Sequence, residues 1–185
     1  MDNFNQRKKD VLSKIDKSSK QSWDDKILKL CEKLNASENY YTTSSCAGRA
    51  ILMIDKEKKE EGLFLFVSHG GVDFDSLKSE VDKLDLMGAV KFKLEPPIIH
   101  VACKTIEDAQ KLYDRAKLVG WKKSGLVSFG KNFVLELNST EKLEFPVVSG
   151  GRLLVGDGFL REIVEQANKK LEKGWKKIEE LSKLV

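Results

Sequence analysis

The run Val90-Lys91-Phe92-Lys93-Leu94-Glu95 alternates apolar and charged residues without a break until Pro96-Pro97 stops it. Period-two alternation turns Phe92 and Leu94 to one face and Lys91, Lys93 and Glu95 to the other, the pattern of a half-buried strand. Proline cannot donate to a ladder, so the strand ends at the pair. Ile98 to Cys103 resumes as a second strand, with His100 on the face opposite Ile99 and Val101. Upstream, Tyr40 to Cys46, Ala50 to Ile54 and Leu63 to Ser68 read as strands, with Lys56 to Gly62 a charged turn. Links this short predict an antiparallel meander. Downstream, Ser124 to Phe129, Phe133 to Leu137 and Phe145 to Val148 are strands, and Arg152 to Val155 adds a short one. Gly130-Lys131-Asn132 joins two of them as a hairpin, with Gly130 available for the strained position.

Helical periodicity fills the rest. Phe4, Val11, Leu12 and Ile15 predict a basic amphipathic N-terminal helix, and Asp16 to Gln21 a polar connector. Ser22, with Asp25 three residues on, predicts the N-cap of a second helix whose buried stripe is Trp23, Ile27, Leu30, Cys31 and Leu34. Phe74, Leu77, Val81 and Leu84 form a third helix, closed by Gly88. Thr105 with Asp108 caps a fourth, with Ile106, Ala109, Leu112, Tyr113 and Ala116 on its stripe and Gly120 at its end. A long helix runs from about Gly158 through Leu160, Ile163, Ala167, Leu171, Trp175, Ile178 and Leu181, weakened at Gly174 by about 1 kcal/mol relative to alanine. Lysines 169, 170, 173, 176 and 177 crowd it, as a solvated face or as an RNA-backbone contact.

With 185 residues, 41% of them hydrophobic, the chain suits one domain with a core that needs neither disulfide nor metal. Cys31, Cys46 and Cys103 are an odd set without a CxxC, which points to a reducing interior. No apolar leader or membrane-length run is present, so a cytoplasmic protein is expected. A net charge of +4 permits a polyanionic partner without requiring one.

Chemistry concentrates in Thr42-Thr43-Ser44-Ser45-Cys46-Ala47-Gly48-Arg49. Small polar residues beside a glycine let a backbone approach a ligand, and arginine grips phosphate or carboxylate with a rigid fork. Cys46 and Arg49 stand too close for a phosphatase-type thiolate loop, and no P-loop lysine follows the glycine. His69 and His100 each fall at or near a strand end, and with Glu95 they make a candidate proton-handling cluster. Without a close third ligand they make a poor metal site, so no metal is expected. A Ser-His-Asp assignment lacks a nucleophile elbow, GxGxxG is absent, and no standard RNA-binding module is visible. Ser45 to Ile51 and Ser149 to Leu154 share a small-Gly-Arg-apolar rhythm, which suggests a duplicated strand-and-helix unit.

An ordered set of motifs from about Asp16 to Asn168 resembles the tRNA wybutosine-synthesising methyltransferase family, the third protein of that pathway, in its archaeal form. Asp16-Lys17-Ser18-Ser19-Lys20-Gln21-Ser22-Trp23-Asp24 resembles the family's Asp-Lys-Ser-Pro-Lys-Gly-Ser-x-Asp, departing at Ser19 and Gln21. Ser44 to Arg49 resembles its Ser-Ser-Cys-Ser-Gly-Arg signature, with Ala47 in place of a serine. Phe66 to His69, Phe92 to Val101 and Gly120 to Gly125 are similar to a strand ending in Ser-His, to Phe-Lys-Phe-Glu-Pro-x-Ile-Leu-His-Val and to Gly-Phe-x-x-Ser-Gly.

The resemblance implies a single α+β domain spanning 1–185, with a barrel-like, mostly antiparallel sheet built from two related β-α halves, packed helices and a long C-terminal helix. It implies S-adenosylmethionine as donor and methyl transfer to a ring nitrogen of the tricyclic guanosine derivative beside the anticodon of tRNA-Phe. His100, His69 or Glu95 would act as base, and Ser44, Ser45 and Arg49 would position donor or base. Lys17, Lys20, Asp24, Lys93 and Ser124 would hold the tRNA. Two readings compete: a non-enzymatic tRNA-binding protein that kept the fold, and a small-molecule enzyme unrelated to RNA.

Overall fold

Burial along the Val90–Glu95 strand alternates in step with its sequence, Phe92 and Leu94 being buried and Lys91, Lys93 and Glu95 half-exposed. The computed structural model describes residues 3–13, 24–56, 62–84, 88–130 and 132–185. Within them the chain is α+β, with five helices and nine strands, and it groups into two compact units. The first comprises Met1–Ala47, Pro97–Thr140 and Gly174–Val185; the second comprises Gly48–Pro96 and Glu141–Lys173. The expected barrel-like sheet is realised as two antiparallel sheets, neither of them closed. Among the described residues no helix is long and apolar enough to cross a membrane.

In the first unit, β1 (Tyr40–Cys46), β5 (Ile98–Cys103), β7 (Phe133–Asn138) and β6 (Gly125–Phe129) lie side by side in that order. The inner face of this sheet meets α2 (Asp25–Ala36), α4 (Ile106–Leu118) and the last turns of α5 (Asp157–Leu184) in one apolar cluster that includes Leu30, Cys31, Ile99, Leu112, Trp121, Leu135 and Ile178. Trp121 is fully buried, and its indole N–H donates to the Lys177 carbonyl at 3.3 Å. Truncating such a side chain to alanine costs about 3–5 kcal/mol. The outer face carries α1 (Asn3–Leu12) at one end, where Phe4 packs on Tyr41 and Ala102.

Thr105 caps α4 as expected, accepting from the Asp108 amide at 3.1 Å. Asp108 in turn holds β1 in place, its carbonyl accepting from the Tyr40 hydroxyl at 3.0 Å. The expected cap Ser22 lies outside the described residues, as do Lys17, Lys20, Trp23 and Ile15; Asp24 occupies the N-cap position of α2.

In the second unit the sheet order is β3 (Phe64–Ser68), β2 (Arg49–Ile54), β4 (Val90–Glu95), β8 (Leu143–Ser149) and β9 (Arg152–Leu153). Asn168 of α5 satisfies the Val72 backbone on both sides, accepting from its N–H at 2.7 Å and donating to its carbonyl at 2.9 Å. Phe145 stacks on Phe92 and takes the edge of Phe159, each pair with centroids 5.2 Å apart.

Three expectations are corrected. The meander fails at its first link: β2 and β3 do pair, but β1 pairs with β5 in the other sheet. Gly48 sits at φ 95, a left-handed turn that redirects the chain between β1 and β2. The helix α3 (Phe74–Asp82) ends with Lys83 at its C-cap, short of Leu84 and Gly88, although Asp73 caps its start through the Ser76 amide. Gly130 does not adopt a positive φ, and β6 and β7 pair directly up to Phe129 and Phe133. The duplicated rhythm falls on two strand-to-strand links. Ala47-Gly48 leads between sheets, whereas Gly150-Gly151, with both φ positive, closes the β8–β9 hairpin.

Candidate functional site

His100 is on the open face of the first unit's sheet because its neighbours Ile99 and Val101 are spent on the core, both at 0% exposure. Opposite it, β1 carries a bulge: Thr42 pairs with Val101 and Ser44 pairs with His100, leaving Thr43 as the extra residue. The bulge turns both hydroxyls toward His100. Ser44 Oγ lies 2.7 Å from His100 Nδ1, and Thr43 Oγ1 donates to the His100 carbonyl at 3.4 Å. On the other side, Glu136 of β7 pairs with His100, and its Oε2 lies 2.8 Å from Nε2. Asn138 donates to the second Glu136 oxygen at 3.4 Å. A hydroxyl, an imidazole and a carboxylate thus stand in one hydrogen-bonded row across three neighbouring strands, partly open to solvent. Glu136 also pairs with Gly125 of β6, where an added Cβ would meet nothing within 4 Å, so the row is open at that end.

The remaining polar residues of the signature face elsewhere. Ser45 hydrogen-bonds the Cys31 thiol, and burial pushes that thiol up to about 11. Burial likewise pushes Cys103 up to about 12, so both thiols are protonated near neutrality. Asp24 accepts from the Ala47 amide at 3.1 Å and so ties the start of α2 to the end of β1. Ser124 accepts from the Asn138 amide at 3.1 Å and donates to the Trp121 carbonyl at 2.8 Å, which shapes the turn into β6. It also lines a hollow of about 340 Å³ with Tyr113, Leu126 and Phe129.

In the second unit, Arg49 and Glu95 face each other across β2 and β4. Arg49 Nε donates to Glu95 Oε2 at 2.7 Å, and Lys93 Nζ donates to Glu95 Oε1 at 2.8 Å. Burial alone would raise the Glu95 pKa, but the hydrogen bonds from Lys93 and Arg49 outweigh it and hold the carboxyl below its usual range. Glu95 is therefore a fixed anion between two cations. The Arg49 guanidinium also lies 5.3 Å from the centre of the Phe64 ring, which restrains its plane. Only Nε of its fork is engaged by a recorded bond among the described residues, which leaves the outer nitrogens suited to a carboxylate or phosphate. His69 follows directly after β3 in this unit and is half-buried.

The structure thus joins Ser44 to His100 in one unit, and Arg49, Lys93 and Glu95 in the other. Ser45, Asp24 and Ser124 are bonded within the scaffold of the first unit. Glu136 escaped the sequence reading. Its one signal is an acid between Leu135 and Leu137, and pairing it with His100 requires the strand order.

A model of the family described as Methyltransferase TYW3 matches residues 6–185. A relative from Thermococcus sibiricus, named tRNA(Phe) 7-((3-amino-3-carboxypropyl)-4-demethylwyosine(37)-N(4))-methyltransferase, is 36% identical over 97% of this chain and 92% of its own. A relative of the same name from Archaeoglobus fulgidus is 38% identical over 86% of this chain and 81% of its own. Among solved structures, the PH1069 protein from Pyrococcus horikoshii superposes with a TM-score of 0.89 at 33% identity, covering 98% of this chain and 93% of that one.

Proposed function

Because this chain belongs to the TYW3 methyltransferase family, we propose that it methylates a ring nitrogen of the tricyclic wyosine-type base beside the anticodon of tRNA-Phe, with S-adenosylmethionine as donor. The Ser44–His100 hydrogen bond, within the family-like signature, is the observation that carries this reading. Methylating a ring N–H nitrogen without leaving a charge on the product requires a proton to depart, and an imidazole on an open sheet face is suited to take it. Ser44 is exposed on β1, at the edge of the sheet, with its hydroxyl on His100 Nδ1, so it is assigned to meet the acceptor and His100 to receive the proton through it. Bound S-adenosylmethionine supplies an electrophilic methyl group on a sulfonium.

The residues of the second unit fit an anionic group of this chemistry. Arg49 and Lys93 bring two positive charges against the single negative charge of Glu95, and the outer Arg49 nitrogens match the bidentate demand of a carboxylate. Arg49 is accordingly assigned to the amino-acid end of the donor. Glu95 is assigned to hold it, a different role from the base expected of Glu95 from sequence. Lys93 keeps the same carboxylate occupied from its far side.

Mass spectrometry of tRNA-Phe nucleosides tests the proposal. Incubating the full chain with S-adenosylmethionine and tRNA-Phe that carries the demethylated tricyclic base should put one methyl group in place of one hydrogen, a net gain of CH2 in the nucleoside mass. His100→Asn should slow this by roughly 10²-fold or more. An unchanged nucleoside with the wild-type chain would refute the assignment.

A further inference from the structure

The ring of His100 has two hydrogen bonds whose directions are not independent. Glu136, when ionised, can only accept, so the Nε2 that faces it at 2.8 Å must carry hydrogen. The neutral ring then has its lone pair on Nδ1, and the Ser44 hydroxyl 2.7 Å away must donate to it. Once its hydrogen is directed inward, Ser44 Oγ presents only lone pairs outward, as an acceptor for an N–H. The orientation of the whole row follows from the carboxylate at its end.

We propose that Glu136 is a positioning residue for the methyl transfer, fixing His100 as the Nε2–H tautomer so that Ser44 accepts the departing proton. The assignment rests on the reaction proposed above. In the step, the N–H bond of the acceptor breaks and its proton forms a new O–H bond on Ser44. The former Ser44 proton forms an N–H bond at His100 Nδ1. The electron pair left on the acceptor nitrogen takes the methyl carbon, and the C–S bonding pair returns to sulfur as a neutral thioether. One proton ends on the imidazole, whose new positive charge lies against the Glu136 carboxylate, and solvent removes it from the open sheet face.

Other groups around the ring do not compete for this role. From β1, Tyr41 and Cys46 share the outer face with Ser44. Burial raises the Tyr41 pKa, with Arg7 of α1 acting the other way, and the Tyr41 hydroxyl accepts from Asn132 at 2.8 Å. From β7, Asn138 bonds the second Glu136 oxygen and keeps Oε2 turned to the ring. Glu136 is the one carboxylate recorded in contact with His100 among the described residues.

Ring nitrogen NMR decides the matter in the intact chain, which has only two histidines. With histidine-specific 15N labelling, His69→Gln removes one ring and assigns the other. The wild-type His100 ring should show hydrogen on Nε2 and a lone pair on Nδ1. Glu136→Gln should mix or reverse that tautomer, because an amide can donate to Nε2 as well as accept from it. Glu136→Asp should keep the tautomer. In methylation assays, Glu136→Gln should lower kcat by roughly 10²-fold with little change in KM for tRNA. Glu136→Asp should recover much of that loss. An unchanged His100 signature in Glu136→Gln, or equal losses in the Gln and Asp variants, would overturn the proposal. A wild-type chain that shows the expected ring signature but methylates nothing would overturn the reaction instead.

Discussion

Gly174 lies inside α5, where the sequence reads as a weak point and the structure shows a fitted contact. A Cβ built on it would stand 2.8 Å from Pro97 Cγ and 2.9 Å from Pro97 Cδ. In an exposed helix interior, Gly→Ala stabilises by about 1 kcal/mol. Here two effects oppose each other. The methyl needs several tenths of an ångström that are not present, and overpacking of this kind typically costs about 1–3 kcal/mol. The proline ring cannot swing aside as a long side chain would, because Cδ is bonded to the backbone. The Pro97 carbonyl is also held, accepting from the Ser139 amide at 3.1 Å. The steric term should win, so Gly174→Ala should be destabilising by about 1 kcal/mol net, taking the midpoint of both ranges. For a chain of 185 residues that lowers Tm by about 2–4 °C. Thermal unfolding of four chains reads it out: wild type, Gly174→Ala, Pro97→Ala and the double variant. In the Pro97→Ala background the same Gly174→Ala change should turn neutral or stabilising. A rise in Tm for Gly174→Ala alone would refute the reasoning, since it would mean that helix propensity outweighs the contact.

Two further outcomes follow from the charges and thiols. The folded pKa of Glu95 is depressed, so its contribution to stability is complete above its unfolded value of about 4.5 and is lost as the pH falls through the lower folded value. Glu95→Gln should therefore be less stable than wild type near neutrality, with the gap closing on acidification below about pH 4.5; urea melts that show a constant gap would refute this. Cys46 is half-buried whereas Cys31 and Cys103 are buried and held protonated, so an aromatic disulfide reagent near pH 8 should titrate Cys46 first and reach the other two only on unfolding.

What the sequence made legible was local. Alternation located Val90–Glu95 to the residue, because one face of that strand is buried and the other is not, and Pro96-Pro97 set the start of Ile98–Cys103. Thr105 could be read because a side-chain cap reaches only to the amide three residues on. Three features resisted for one reason, that they depend on partners distant in the chain. Nothing in Tyr40–Cys46 indicates that its neighbour is Ile98–Cys103 and not Arg49–Ile54. Glu136 acquires meaning only beside His100, and Gly174 only beneath Pro97. The end of α3 failed differently: Leu84 keeps the helical period, yet the backbone has already left the helix at Lys83. Arg49 and Glu95 were both singled out, but their mutual pairing, which makes Glu95 a holder of charge, needed the β2–β4 register.

Ser44, His100 and Glu136 come from three strands whose pairing also buries Ile99, Val101, Leu135 and Leu137. A slip of one residue in β5 would turn His100 inward and expose its apolar neighbours, at the expense of the core. Errors of assembly therefore cannot yield a stable chain with a displaced row: whatever abolishes the chemistry by misalignment also unfolds the sheet. Chains that survive proteolysis have, by the same token, already passed inspection of their polar face.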